Sequence, residues 1–157
     1  MKYAIFVFFM LAMLRGFGQK SLISYEDIKY LLHNNIHQAD TFLTAKGYVI
    51  TQKDDNTKNR KYALTLDGGT HNIISLRADG KRLFIEMETN ELNQYNLLRE
   101  SISQYIVKDS MVADIQIFAV KDLCNIYITI NDTAPYDPLR KDYDIQIVGD
   151  KHITAYN

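Results

Sequence analysis

Cysteine, tryptophan and proline are scarce in this chain, and each shortage narrows what it can be. One cysteine, Cys124, in 157 residues cannot close an internal disulfide, so the core has to hold itself together without bridges. Two prolines and seven glycines signal no long linker or disordered segment. With no tryptophan, the aromatic contacts fall to 11 tyrosines and 7 phenylalanines. An excess of positive charge is lacking as well. Eighteen lysines and arginines face 19 acidic residues, which argues against nucleic acid as a partner.

The recognisable signatures of catalysis are missing too. His33 and His37 are four apart, a spacing that lets one helix chelate a metal, and Asp40 follows on the same side. The segment reads HNNIH, however, without the glutamate a zinc hydrolase uses as its base, and it lies away from the apolar stripe. These residues are weak metal candidates, and a solvated helix face is the plainer account. Cys124 with His71 or His152 as base is the other conceivable pair, but Cys124 opens a β-branched run and no nucleophile signature surrounds it. Asp67-Gly68-Gly69-Thr70-His71 lacks the lysine and hydroxyl of a phosphate loop and leads into a strand, so it reads as a hairpin turn. Asn131-Asp132-Thr133 fits a glycosylation sequon, which matters only in a eukaryotic secretory pathway. No cofactor is implied.

What is present begins with a leader. Lys2 supplies a charged start, Tyr3 to Leu14 is unbroken apolar sequence, and Gly16 and Gly18 suit cleavage before Gln19. Twelve residues give a helix of about 18 Å against roughly 30 Å of hydrocarbon, too short for an anchor. No cysteine follows the run to carry a lipid. Residues 1–18 therefore read as a signal peptide and 19–157 as one α+β domain, secreted or periplasmic, with no stable membrane span once the signal is removed. Cleavage takes Lys2 and Arg15 away, leaving 16 basic against 19 acidic residues and a net charge near −3.

Beyond the leader the order is helix, three or four strands, helix, three strands. The first helix is expected over 25–46, with Ile28, Leu31, Leu32, Ile36, Ala39, Phe42 and Leu43 on one face. Ser24 and Asp27 form a capping box, Ile23 and Ile28 a staple, and Gly47 with Tyr48 a Schellman stop. A short strand over 48–51 and a polar, exposed loop over 52–59 follow. The second helix is expected over 91–107, capped by Thr89 or Asn90, with Leu92, Tyr95, Leu98, Ile102, Tyr105 and Ile106 buried. Alternation marks strands near 60–66, 73–78, 81–88, 112–120, 123–131 and 143–148, and the tail after Gly149 reads as frayed. Such hairpin-joined strands predict a mainly antiparallel sheet with two amphipathic helices on one face. This rhythm resembles that of small exported inhibitor proteins built from tandem helix-plus-sheet units.

The Asp79-Gly80 pair predicts a two-residue turn with Ala78 facing Lys81. Leu76 then opposes Leu83, Ile74 opposes Ile85, and Leu64 opposes Ile74 across a loop running from Asp67 to His71. On the other face this register aligns Lys61, Arg77 and Arg82 in one cross-strand row beside Phe84. Like charges placed opposite each other are destabilising, so such a row suggests a surface kept for an acidic or carboxylate-bearing partner. Tyr136, in the proline-bearing loop, is a further contact candidate. The expected function is an exported, non-enzymatic binding module for a protein or peptide. Alternatives are an inhibitor or immunity-type protein, a small metal- or cysteine-dependent hydrolase, and a structural component of the cell envelope.

Overall fold

The helix expected over 25–46 is two helices in the computed structural model, which describes residues 22–79, 82–107, 115–131 and 141–150. Helix α1 (Tyr25–His33) ends at Asn34, and α2 (Ile36–Ala45) starts from Asn35. Both asparagines are extended, and Asn35 forms its own capping box with Gln38. A second helix start inside the run satisfies backbone N–H groups that a continuous helix would not leave open. The apolar stripe carries on across the break because both helices face the same core.

The outer ends stand where local signals put them. Ser24 and Asp27 cap α1 reciprocally, and Ile23 and Ile28 are both buried. Gly47, at φ 94°, donates to Thr44 O at 2.9 Å, and Tyr48 N donates to Leu43 O at 3.0 Å. That is the paired bonding of a Schellman stop. Lys46 Nζ lies 2.8 Å from Asp27 and also donates to Leu22 O, tying the end of α2 to the start of α1.

Seven strands follow: β1 (Val49–Asp54), β2 (Asn59–Thr65), β3 (His71–Asp79), β4 (Arg82–Thr89), β5 (Ile115–Val120), β6 (Cys124–Asn131) and β7 (Asp142–Gly149). Helix α3 (Leu92–Ile102) lies between β4 and β5. The sheet order is β1-β2-β3-β4-β7-β6-β5, antiparallel at every pairing. This is an α+β fold with three helices rather than two. Strand β1 takes up the first three residues of the expected polar loop, and β2 takes the last. The turn shrinks to 55–58 because Asp54 Oδ1 accepts the N–H groups of Asn56 and Thr57.

Register differs from expectation by two residues. Asp79 pairs with Arg82, so Leu76 opposes Ile85, Ile74 opposes Met87, and Tyr62 opposes Ile74. The β2–β3 loop runs over 66–70, one residue earlier than expected, with Gly68 and Gly69 at positive φ. A slip of two keeps every side chain on its expected face, because side chains alternate with period two. The core face is therefore as expected, but the partners are not.

One buried cluster draws on all three helices and every strand but β1. Helix α3 buries Gln94, Tyr95, Leu98 and Ile102, while Leu92 and Ile106 are exposed. Its N-cap is Glu91, not Thr89 or Asn90. Thr89 Oγ1 instead accepts from Glu91 N, and Asn90 Oδ1 accepts from His71 N.

The two halves share a plan. Helices α1–α2 precede β1–β4, and α3 precedes an Ile106–Phe118 bridge and β5–β7. The halves join where β4 pairs with β7. No described helix is long and apolar enough to cross a membrane. The leader, residues 80–81, Tyr136, both prolines, the sequon's Asp132 and Thr133, and His152 lie outside the described residues.

Candidate binding face

Helices cover one face of the sheet, and the other face, among the described residues, is uncovered. On it the middle rows read Lys61–Ser75–Glu86–Gln146–Tyr127 and Arg77–Phe84–Val148–Asn125. A groove of about 550 Å³ runs over these rows. Strands β2 to β4 supply Lys61, Arg77, Phe84 and Glu86, and the second half supplies Tyr127, Gln146 and Val148. Gln52 and Asn59 close the end nearest β1. The groove thus lies across the junction of the two half-units.

The expected row of three cations does not form. The two-residue change of register places Ser75 opposite Lys61 and Phe84 opposite Arg77, while Arg82 pairs with Asp79 at the strand end. The Arg82 side chain lies outside the described part of the structure. Phe84 is half-buried, and the Arg77 guanidinium sits 5.4 Å from its ring centre. Cation–ring attraction at that distance, worth about 0.5–1 kcal/mol at an exposed site, favours the arginine lying over the groove wall. Lys61, Arg77 and Phe84 are thus brought together, though not in the predicted row. Neither cation takes part in an ion pair among the described residues.

Beside the groove, Glu88 faces Asp144 directly across β4 and β7. Asp144 Oδ2 accepts from Gln146 Nε2 at 3.1 Å, and its Oδ1 is buried with no hydrogen-bond partner among the described residues. Sequence reasoning missed this half of the face. Alternation in Asp144–Ile147 points Asp144 and Gln146 away from the core, but only the non-local β4–β7 pairing sets them beside Glu86 and Glu88.

The weaker candidates separate. His33 ends α1 and its Nδ1–H donates to Lys29 O, whereas His37 belongs to α2 beyond the break, so one-helix chelating spacing is lost. Asp40 instead turns inward to Tyr62 and Arg60. No cluster of three or more possible metal ligands occurs among the described residues. Cys124 is buried, and desolvation pushes its thiol up to about 12. It pairs with Gly149 at one end of the sheet, while His71 pairs with Thr65 at the other. The Asp67-Gly68-Gly69 stretch is a hairpin connection, as its residues suggest.

A polar network is buried behind the groove strands. Asn72 Nδ2 donates to Tyr48 Oη and to Gln94 Oε1, and Thr89 Oγ1 bonds Asn72 Oδ1. Every member is satisfied within the core, so the network positions elements rather than awaiting a ligand. Comparison with protein-family models, with characterised proteins and with solved structures finds no match, and no role is carried to this face from a relative.

Proposed function

We propose that the chain is an exported binding module, acting outside the cytoplasm, that recognises a protein or peptide on the uncovered face of its sheet. The observation that carries this reading is the groove across the β4–β7 junction, with Lys61, Arg77, Phe84 and Tyr127 around it. The apolar core occupies the opposite face, and these side chains lie outside its buried cluster. Export rests on the charged start, the short apolar run and the small residues before Gln19. An inhibitor or immunity-type protein is the narrower version, in which the partner is an enzyme. The cysteine-hydrolase reading has against it the buried, proton-retaining Cys124, and the metal-hydrolase reading has the break between His33 and His37.

The test is capture of partners by the native protein and by a Lys61→Glu/Arg77→Glu/Phe84→Ala variant of equal melting temperature. A partner retained by the first and lost by the second supports the reading. Undiminished capture by the variant would sink it. N-terminal sequencing of the product should begin at Gln19.

A further inference from the structure

We infer that the groove selects a protein segment presenting a carboxylate side chain two residues from an aromatic one. This rests on the groove being the binding face. Lys61 and Arg77 stand on adjacent strands, one step out of register, because Lys61 opposes Ser75. Strand spacing and rise set their backbones about 8 Å apart, within joint reach of one small anion. Glu86 faces Ser75 from the other side, and it exchanges no ion pair with either cation. Arg60 also lines the groove but is paired with Asp40 and Asp55, so the unpaired charges of the lining, Lys61, Arg77 and Glu86, leave one positive charge in excess. That balance suits a single carboxylate and disfavours a polyanion.

The apolar half of the site adjoins it. Phe84 and Val148 face each other across the β4–β7 junction, and Tyr127 lies one step beyond on β6. Together they make a floor on which an aromatic ring can lie offset or edge-on. In an extended peptide, side chains two apart point the same way and stand roughly 7 Å from each other. A carboxylate over Lys61 and Arg77, in a peptide crossing the strands, then brings the second side chain over Phe84, next to Val148. Arg77, lying over the Phe84 ring, is placed for both contacts.

The probes are three capped pentapeptides, Ser-Asp-Ser-Phe-Ser, its Asn isostere and its Lys counterpart, titrated into the isotopically labelled protein and followed by NMR. The Asp peptide should shift amides of β2, β3, β4 and β7 around the groove. It should bind at least about tenfold more tightly than the Asn isostere, as loss of a charge-assisted contact implies. Added salt or Lys61→Gln/Arg77→Gln should erase that preference. Groove shifts of equal affinity from the Asp and Asn peptides would overturn carboxylate selection while leaving the groove as the binding face. Preference for the Lys peptide would overturn the charge argument. Shifts that avoid the groove with every peptide would overturn both readings.

Discussion

The side-chain amide of Gln94 on α3 pairs with the backbone of Ile23 as a neighbouring strand would. Gln94 Oε1 accepts from Ile23 N at 2.7 Å, and Gln94 Nε2 donates to Ile23 O at 2.7 Å. Both residues are buried, so these bonds replace water at the segment leading into α1. Gln94→Leu should cost roughly 3 kcal/mol, because each stranded buried backbone group costs about 1–3 kcal/mol. Denaturant unfolding measures the loss, and hydrogen exchange at the Ile23 amide should quicken. An unchanged unfolding midpoint would show that the clamp contributes nothing.

Legibility in the sequence followed the range of the interaction. Ser24 with Asp27 and Gly47 with Tyr48 act within a turn of themselves, so the helix ends could be read directly. The Asn35–Gln38 box is equally local, but the unbroken run of apolar spacings over Ile28, Leu32, Ile36 and Leu43 masked it. Face assignment on the sheet was legible because alternation decides it. Which residues stand opposite each other was not: a loop moved by one residue shifts partners by two and leaves the alternation intact. Gln94 shows the remaining limit. It looks like a polar helix residue, and its burial comes from Ile23, 71 positions away. For the candidate face, Lys61, Arg77 and Phe84 were within reach of local reasoning, while Tyr127, Gln146 and Val148 depended on the β4–β7 pairing.

A second prediction concerns Arg60, whose side chain is 1% exposed. Its Nε lies 3.4 Å from Asp40 Oδ1, its Nη2 lies 2.5 Å from Asp55, and Asp40 Oδ1 also accepts the Tyr62 hydroxyl at 2.7 Å. Asp40→Ala removes the inner counter-charge and leaves Tyr62 Oη without that bond, so it should cost about 3 kcal/mol or more. Arg60→Met should cost less, because an apolar chain replaces the buried cation and Asp40 keeps some exposure to water. Thermal unfolding of both variants checks the ranking. The reverse order would show that the arginine's contacts to the β1–β2 turn dominate.

Alkaline pH should destabilise the fold. Burial pushes the Cys124 thiol from 9.0 up to about 12 and the Tyr25 hydroxyl from 10.0 up to about 12, and it raises Tyr48 and Tyr143 as well. Above the ordinary value the unfolded chain binds fewer protons than the folded one, so stability falls with rising pH. The contribution from Cys124 is complete below pH 9.0 and that from Tyr25 below 10.0, and both are lost as pH climbs toward about 12. Melting temperatures across that window should fall, and less steeply in Cys124→Ala. At neutral pH a thiol reagent should label Cys124 only as fast as the protein opens. Immediate labelling of the native protein would contradict the burial.

The last prediction belongs to the uncovered face. Glu88 and Asp144 are cross-strand partners at the junction of the two halves, and no described cation pairs with either carboxylate. Like charges directly opposite are destabilising, so Asp144→Asn should stabilise the fold by about 0.2–1 kcal/mol. Glu88→Gln should do the same, since either change removes the repulsion. The double variant should then gain little more than one single variant, because the interaction can be removed only once. Added salt should shrink the gain, as it screens half-exposed charges. Additive gains in the double variant would point instead to two independent causes, such as relief of the unpartnered Asp144 Oδ1 alone. If the coupling is found, a repulsive carboxylate pair sits on the β4–β7 side of the groove, one row beyond Glu86 and Gln146. That pair would turn an acidic segment toward the cations and away from the β7 side, so neutralising it should also weaken the orientation of a bound peptide.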